Sequence, residues 1–182
     1  MLLLIIFLTG LFTVLGATLL AALADLRGLK IPNIYSLIII VAFAVSYGLL
    51  WTFGREDVFS SLLSHFLSAF IVFLVTLIMF ALKGLGAGDS KLATACALWS
   101  GLSGLFVFLF YMTLAGGLLG LSALIIRKTK PFKAPAEGSW VAQVQAGQSK
   151  VPYGVAILCG VLASFIKLGY LGPEVLSSFL LS

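Results

Sequence analysis

The sequence contains few charged residues for its length. Only 9% of its 182 residues are Asp, Glu, Lys or Arg, whereas 62% are hydrophobic. Soluble domains carry about 25% charged residues, so this chain cannot build a water-facing surface. Disordered chains are excluded as well, because they combine low hydrophobicity with high charge. The composition therefore predicts an integral membrane protein, with the lipid bilayer as its surroundings.

Cysteine and histidine are also scarce. Cys96 and Cys159 stand alone within apolar stretches, and His65 is the one histidine. The sequence has neither paired cysteines at zinc-site spacing nor the His-Glu-x-x-His pattern of zinc proteases, so we expect no metal and no cofactor. The segment 101–104 fits the Gly-x-Ser-Gly pattern of rhomboid serine proteases. A serine nucleophile needs a base within hydrogen-bond reach, and no histidine follows Ser103.

Six apolar stretches are candidates for crossing a bilayer, which takes about 20 residues of helix. They are residues 2–24, 34–53, 58–82, about 89–102, 104–126 and 154–171. The fourth is too short unless it begins in the glycine-rich segment 84–89. Irregular backbone at membrane depth is tolerated only where it is buried in protein or lines a wet cavity. We therefore predict an all-α polytopic protein with about six transmembrane helices and a cavity beside Asp89.

The basic residues are divided unequally between the two sets of loops. Nine of the eleven lie in loops that six crossings place on one side: Arg27, Lys30, Lys83, Lys91, Arg127, Lys128, Lys130, Lys133 and Lys150. The opposite loops hold Arg55, offset by Glu56 and Asp57. By the positive-inside rule the nine face the cytoplasm and both termini lie outside it. These charges indicate topology rather than a nucleic-acid partner, and residues 127–153 form a basic cytoplasmic loop too short to be a domain.

Two acidic residues differ from the other four. Asp25 and Asp89 each lie at the cytoplasmic end of a predicted span, where a carboxylate is costly and is a functional candidate by default. Two carboxyl groups that share one proton can activate water and hydrogen-bond a scissile carbonyl, which is the chemistry of aspartic proteolysis. Asp89 opens a helix and Asp25 ends one, so the helix dipoles favour Asp89 as the base and Asp25 as the acid.

Other interpretations of the two aspartates stay open. Asp25 could be an interfacial anchor paired with Arg27, and the Gly-x-Gly element could serve close packing of helices. A non-enzymatic transporter or pilus-assembly subunit could use the pair as a proton relay. Transporters commonly show internal symmetry and helices broken near the midplane. In this sequence the glycine-rich break lies near the cytoplasmic edge instead.

Three short elements around the aspartates resemble the type IV prepilin peptidase family. They are Asp25 followed by Lys30-Ile31-Pro32-Asn33, then Gly86-Ala87-Gly88-Asp89 with Lys91, and finally Pro152-Tyr153-Gly154. Members of this family are polytopic Gly-x-Gly-Asp aspartyl proteases that remove the basic leader of prepilin-like substrates at the cytoplasmic face of the bacterial inner membrane. The resemblance implies a single transmembrane peptidase domain over residues 1–182, with Asp25 and Asp89 as its catalytic pair.

The sequence also differs from the large members of this family. Large members of the family carry an additional cytoplasmic segment with paired Cys-x-x-Cys motifs and N-methylate the trimmed pilin. The sequence has no such segment. We therefore expect the small form of the enzyme, which acts as a peptidase only.

The first of the three motif elements, residues 30–33, also has expected structural roles. Pro32 keeps Ile31 out of helical conformations, so the chain turns sharply into the second span. Asn33 is positioned to act as the N-cap of that span.

The other two elements have expected roles near the carboxylates. Gly86 and Gly88 have no Cβ, which would let an extended substrate approach the backbone beside Asp89. Lys91 could orient a carboxylate or simply extend to the interface. The segment 152–154 could line the cleft or only start the last helix.

Overall fold

The structure is a computed structural model that describes residues 1–55 and 58–180; Glu56 and Asp57 lie outside the described residues. Its helices are α1 (Leu2–Gly28), α2 (Asn33–Thr52), α3 (Leu62–Ala81), α4 (Ala87–Thr129), α5 (Trp140–Gln145), α6 (Tyr153–Lys167) and α7 (Pro173–Leu180). Four of them, α1 to α4, are long and apolar enough to cross a membrane, and α6 is a shorter apolar helix. The prediction of an all-helical, multi-pass membrane protein is confirmed.

Helix α4 contains a reversal of the chain. Its 43 residues would extend about 64 Å if straight, twice the hydrocarbon thickness of about 30 Å. At Gly101 the backbone leaves helical geometry, with φ 56° and ψ 179°, a region that is essentially restricted to glycine. This residue divides α4 into a first arm, residues 87–100, and a second arm, residues 102–129. The two arms correspond to the fourth and fifth predicted spans.

Side chains from elsewhere in the chain bind the carbonyl groups that this reversal frees. Ser68 Oγ donates to the carbonyl of Ala97 at 2.9 Å, and Tyr170 Oη donates to that of Trp99 at 3.1 Å. His65 Nδ1 contacts the carbonyl oxygen of Leu98 at 2.6 Å, where the ring nitrogen acts as the donor. Unpaired carbonyls are costly inside a membrane, so these three bonds stabilise the turn.

Close contacts with α6 show that the two arms run in opposite directions. At one end, Ser100 and Ser164 share a hydrogen bond of 3.0 Å, and Gly104 lies against Leu168. Towards the other end, Gly116 lies against Tyr153. Helix α6 therefore runs antiparallel to the second arm. Its first turn also donates to Asp25, which lines one cavity with Asp89, so the start of the first arm lies at the same end of the bundle as the start of α6.

Three interhelical contacts fix the first arm of α4 against α1, α2 and α3. Thr18 Oγ1 contacts Cys96 Sγ at 3.6 Å, and Trp99 Nε1 donates to the carbonyl of Ile39 at 3.0 Å. The hydroxyls of Thr76 and Ser90 share a hydrogen bond of 2.8 Å. Ser90 directly follows Asp89, so this bond holds the beginning of the arm in place.

Several boundaries differ from those expected. Helix α3 begins at Leu62 rather than at residue 58, because Ser61 caps it by accepting from the Ser64 N–H. The loop 127–153 contains the short helix α5, whose Trp140 and Val144 pack under the second arm. Helix α7 follows the last apolar segment and was not predicted. Its start at Pro173 is typical of a first helical residue, a signal the hydropathy pattern does not contain.

Candidate active site

The end of α1 and the turn that follows it carry the first aspartate. Asp25 is buried at 4% exposure, and its carbonyl accepts the N–H of Leu29, which ends the helix in a left-handed conformation with φ 51°. Pro32 is extended, with φ −60° and ψ 135°, and α2 begins at the next residue. Only four residues, 29–32, thus connect α1 to α2, which agrees with the short turn expected at Pro32.

The glycine-rich segment carries the second aspartate at the start of α4. Asp89 is the third residue of the helix, and its Oδ2 accepts the N–H of Gly86 at 3.0 Å. This bond pairs one of the N–H groups that a helix start leaves free. The Asp89 side chain is half-buried. The first turn of the helix is therefore fixed by its own carboxylate on one side and by Ser90 on the other.

The two aspartates line one cavity of about 500 Å³. They are near enough for their carboxylate charges to interact. The cavity is formed by the turn after α1 and the start of α4, and ten residues line it: Asp25, Leu29, Lys30, Ile31, Pro32, Asn33, Gly86, Ala87, Gly88 and Asp89. Eight of the twelve residues singled out in the sequence lie on this cavity; Lys91, Pro152, Tyr153 and Gly154 do not.

A close backbone contact joins the two lining segments. A Cβ built on Gly88 would lie 3.1 Å from the carbonyl oxygen of Ile31 and 3.2 Å from its Cβ. The residue that approaches the glycine in this structure is thus part of the protein itself, whereas the sequence suggested room for a substrate. Absence of a side chain at Gly88 lets the turn after α1 pack directly against the start of α4.

The segment 152–154 contacts Asp25 without lining the cavity. The N–H of Gly154, in the first turn of α6, donates to Asp25 Oδ2 at 2.8 Å. A Cβ on Gly154 would lie 3.0 Å from the Cα of Ala22, so glycine is needed for this approach. The N-terminus of a helix therefore faces Asp25, as one faces Asp89. The dipole of α6 offsets that of α1 at Asp25, so helix dipoles alone no longer distinguish Asp89 as base from Asp25 as acid.

Two further expectations need correction or refinement. Asn33 is the first residue of α2, whose N-cap is Pro32, and its side chain makes no capping bond. Instead its Oδ1 accepts from Lys91 Nζ at 3.2 Å, so Lys91 is bound to Asn33 at the edge of the cavity. Tyr153 packs on Gly116, and Pro152 precedes α6 as its N-cap. Neither of the last two lines the cavity.

A sequence profile identifies the family. The profile of the type IV leader peptidase family matches residues 11–121, which include both aspartates and both segments that line the cavity. The chain belongs to this family. No curated protein sequence and no solved structure matches the chain. Membership in the leader peptidase family implies that the protein is a peptidase, and the resemblance stated from the sequence is confirmed.

The serine-protease pattern has no matching geometry in this leader peptidase. Ser103 Oγ bonds to Ser60 Oγ at 3.1 Å on the exposed end of the hairpin. His65 is buried, and its Nδ1 is engaged by the carbonyl of Leu98. Among the described residues, no group of three or more His, Cys, Asp or Glu side chains could hold a metal ion.

Sequence reasoning missed two features of the site. Leu29 lines the cavity at a position that no motif marks, and Ala87 lines it at the variable position of the Gly-x-Gly-Asp element. The pairing of Thr76 with Ser90 connects α3 to the residue beside Asp89. A hydroxyl in a transmembrane helix does not by itself indicate a contact with another helix. Many such hydroxyls bond to the carbonyl one turn earlier in their own helix, as Thr76 also does to Val72.

Proposed function

We propose that the protein is an aspartic endopeptidase that removes the leader peptide from type IV prepilin-like substrates at the cytoplasmic face of the bacterial inner membrane. The observation that carries this proposal is the shared cavity of Asp25 and Asp89 in a chain of the leader peptidase family. Aspartic proteolysis uses both carboxylates and needs no further side chain, and membership in a peptidase family favours it over a proton relay.

The proposed mechanism uses the two carboxyl groups as one unit. Like charges that lie close together cannot both ionise readily, so the pair holds one proton between them. The ionised carboxyl removes a proton from a water molecule, which attacks the scissile carbonyl carbon. The protonated carboxyl donates a hydrogen bond to the carbonyl oxygen as negative charge develops there. Transfer of a proton to the departing amine completes the cleavage, and no covalent enzyme intermediate forms.

The surroundings of the pair support this mechanism by restricting its geometry. Asp25 is held by the N–H of Gly154, and Asp89 by that of Gly86. Each carboxylate therefore keeps one oxygen bound to backbone and has the other available for water or substrate. Fixed carboxylates need little reorganisation during the reaction, which lowers the barrier.

The first test is cleavage by the purified protein in lipid vesicles. The substrate is a membrane-anchored reporter with a short basic leader, and we expect a single cut that releases the leader. Cleavage should continue in the presence of EDTA and of a serine-directed sulfonyl fluoride, because the aspartate pair requires neither metal nor serine. An intact reporter, or cleavage that either reagent stops, would contradict the proposal. Mass spectrometry of the products locates the cut.

The second test concerns sidedness. We propose that residues 127–153 lie in the cytoplasm, because they hold five of the eleven basic residues. In a variant without Cys96 and Cys159, a cysteine at Ser149 should react with a membrane-impermeant maleimide only after the cells are opened. A cysteine at Ser103, at the opposite end of the bundle, should react in intact cells. The reverse pattern would place the aspartates on the wrong side for a cytoplasmic leader.

The same protein is proposed to act as a peptidase without methyltransferase activity. The loop 127–153 carries no cysteine, whereas the family members that methylate carry paired Cys-x-x-Cys motifs in their added segment. Its one short helix, α5, is instead packed by Trp140 and Val144 against the bundle. This supports a structural role for the loop beneath the second arm of α4.

A further inference from the structure

The end of the second arm of α4 and the turn after it carry a dense group of positive charges. Residues 127–133 contain four basic residues and no acidic one: Arg127, Lys128, Lys130 and Lys133. All four side chains are exposed, and within the described part of the chain none of them forms an ion pair or a hydrogen bond. We call residues 127–133 the basic segment. Its charge of +4 is therefore available to a partner of opposite charge.

The length of the second arm places the basic segment at the level of the phospholipid headgroups. The arm, residues 102–129, extends about 42 Å at the usual helical rise, which matches the thickness of a bilayer with its headgroups, about 40–45 Å. Arg127 and Lys128 lie in its last turn, and Lys130 caps it in a left-handed conformation with φ 44°. We therefore expect these charges where the helix leaves the membrane.

The basic segment also presents an aromatic ring that the protein leaves uncovered. Phe132 lies between Lys130 and Lys133 and is 52% exposed. Its backbone is fixed, because its N–H donates to Gln145 Oε1 at 3.1 Å and its carbonyl accepts from Gln145 Nε2 at 2.9 Å. These two bonds attach the segment to α5 while the phenyl ring stays outside the core. An aromatic ring flanked by lysines is typical of an anchor at the membrane–water interface.

The loop that carries the basic segment contacts the wall of the catalytic cavity. Leu29, which lines the cavity, packs against the cluster that Trp140 and Val144 of α5 form with the second arm. A Cβ built on Gly138, just before α5, would lie 3.9 Å from the carbonyl oxygen of Arg27. Helix α5 thus supports the end of α1, three to four residues beyond Asp25. A partner that holds the basic segment also holds this support in place.

We propose that the basic segment binds the headgroups of anionic phospholipids and thereby keeps α5 packed against the end of α1. The lysine and arginine side chains donate to phosphate oxygens, and the Phe132 ring enters the boundary between headgroups and acyl chains. Clusters of four or more Lys and Arg beside a transmembrane helix are attracted to anionic leaflets, each residue strengthening binding roughly fivefold. The lipid binding is independent of the proposed function, whereas its effect on cleavage rests on that function.

The charge and the exposed ring together favour lipid over the other partners of this protein. A basic leader is repelled by the basic segment, so this surface does not bind the leader of the substrate. A nucleic acid or a free phosphate ion supplies negative charge but gives the Phe132 ring no apolar layer to enter. An anionic phospholipid supplies both, and it is present at the depth where the second arm ends.

The first experiment measures cleavage in vesicles of phosphatidylcholine with and without phosphatidylglycerol. For the wild-type protein, phosphatidylglycerol should raise kcat/KM for the anchored reporter about fivefold, at the low end of coupling between two sites. The same ratio is expected for a soluble leader peptide that contains the cut bond, because the lipid acts on the enzyme. A variant that combines Lys128→Gln, Lys130→Gln and Lys133→Gln should show no response to phosphatidylglycerol.

The matched control keeps the charge. Lys128→Arg, Lys130→Arg and Lys133→Arg, combined in one variant, should respond to phosphatidylglycerol like the wild type. Comparing the two triple variants on one substrate removes the attraction of the basic leader for anionic lipid, which is the same for both. A glutamine variant that responds like the wild type, or an arginine variant that does not respond, would exclude the basic segment as the lipid site.

The second experiment detects the lipid directly. Phosphatidylglycerol with a photoreactive group near its headgroup should label residues 127–133 of the wild-type protein, and the equivalent phosphatidylcholine should not. The glutamine variant should lose this labelling. Inorganic phosphate, in place of chloride at the same ionic strength, should leave the labelling unchanged. Labelling only outside residues 127–133, or labelling that free phosphate abolishes, would overturn the assignment.

The two experiments separate this inference from the proposed function. If the wild-type protein cleaves the reporter equally well in both kinds of vesicle and takes no label in the basic segment, the lipid site is wrong and the peptidase assignment stands. If it takes the label but cleaves nothing in either vesicle, the proposed function is wrong and the lipid site stands. Labelling without a change in cleavage would exclude the connection through α5.

Discussion

Replacing either aspartate by asparagine is expected to reduce leader removal by about 10³-fold or more, the usual size of a general acid–base contribution. Asparagine keeps the shape of the side chain but cannot hold or release the catalytic proton. The variants are Asp25→Asn and Asp89→Asn. The measurement is the initial rate of cleavage of the anchored reporter by reconstituted protein, at equal amounts of folded enzyme.

The double variant makes this test sharper. Groups that act as one unit are not additive, so Asp25→Asn combined with Asp89→Asn should be no slower than either single variant. Glu137→Gln is the matched control, because Glu137 is an exposed acidic residue of the loop 127–153. This variant should cleave the reporter at the wild-type rate. Unimpaired leader removal by either single variant would falsify the aspartate pair. It would also favour the alternative in which the aspartates relay protons in a protein that is not a protease.

Substituting Gly154 by valine is expected to lower kcat by about 100-fold, although this residue does not line the cavity. Its Cβ would lie 3.0 Å from the backbone of Ala22 and 3.2 Å from the Cβ of Asp25. Backbone at such a distance cannot move aside like a flexible side chain, so the start of α6 shifts away from α1. The hydrogen bond from the Gly154 N–H to Asp25 Oδ2 is then lost. Misplacement of a catalytic group by about 1 Å typically costs this much.

The split between kcat and KM distinguishes positioning from simple unfolding. Because Gly154 acts through Asp25, kcat should fall while KM for the soluble leader peptide stays near the wild-type value. Gly154→Ala should lose less activity than the valine variant. Gly120→Val is the control, since a Cβ on Gly120 meets nothing within 4 Å. A similar loss in Gly120→Val, or full activity in Gly154→Val, would rule out this positioning role.

The apolar spans could be predicted from the sequence because hydropathy is a local property. The start of the fourth span in the glycine-rich segment followed from length, since residues 92–126 are too few for two crossings and a turn. The reversal at Gly101 lies at the predicted boundary between the fourth and fifth apolar stretches. Helix ends were less predictable. Ser61 and Pro173 are start signals of α3 and α7, but they concern backbone hydrogen bonds rather than hydrophobicity.

The sequence predicted most of the residues of the site, but fewer of the contacts between them. Most of the residues chosen from the motifs lie on one cavity. The contact between Gly154 and Asp25 joins residues 129 apart in sequence, and it depends on how α6 packs against α1. No local pattern encodes that packing. The same holds for Asn33, which a local rule made a helix cap and which instead accepts a hydrogen bond from Lys91 on a different helix.

The hairpin in α4 has a consequence for biosynthesis. Two of the side chains that bind its free carbonyls, those of Ser68 and His65, precede the turn in the chain and are synthesised before it. The third, Tyr170, follows Trp99 by 71 residues and leaves the ribosome much later. The hydrogen bond to the carbonyl of Trp99 can therefore form only after the final third of the chain has been synthesised. Maturation of this protein in the membrane should accordingly finish only after translation of its C-terminal part.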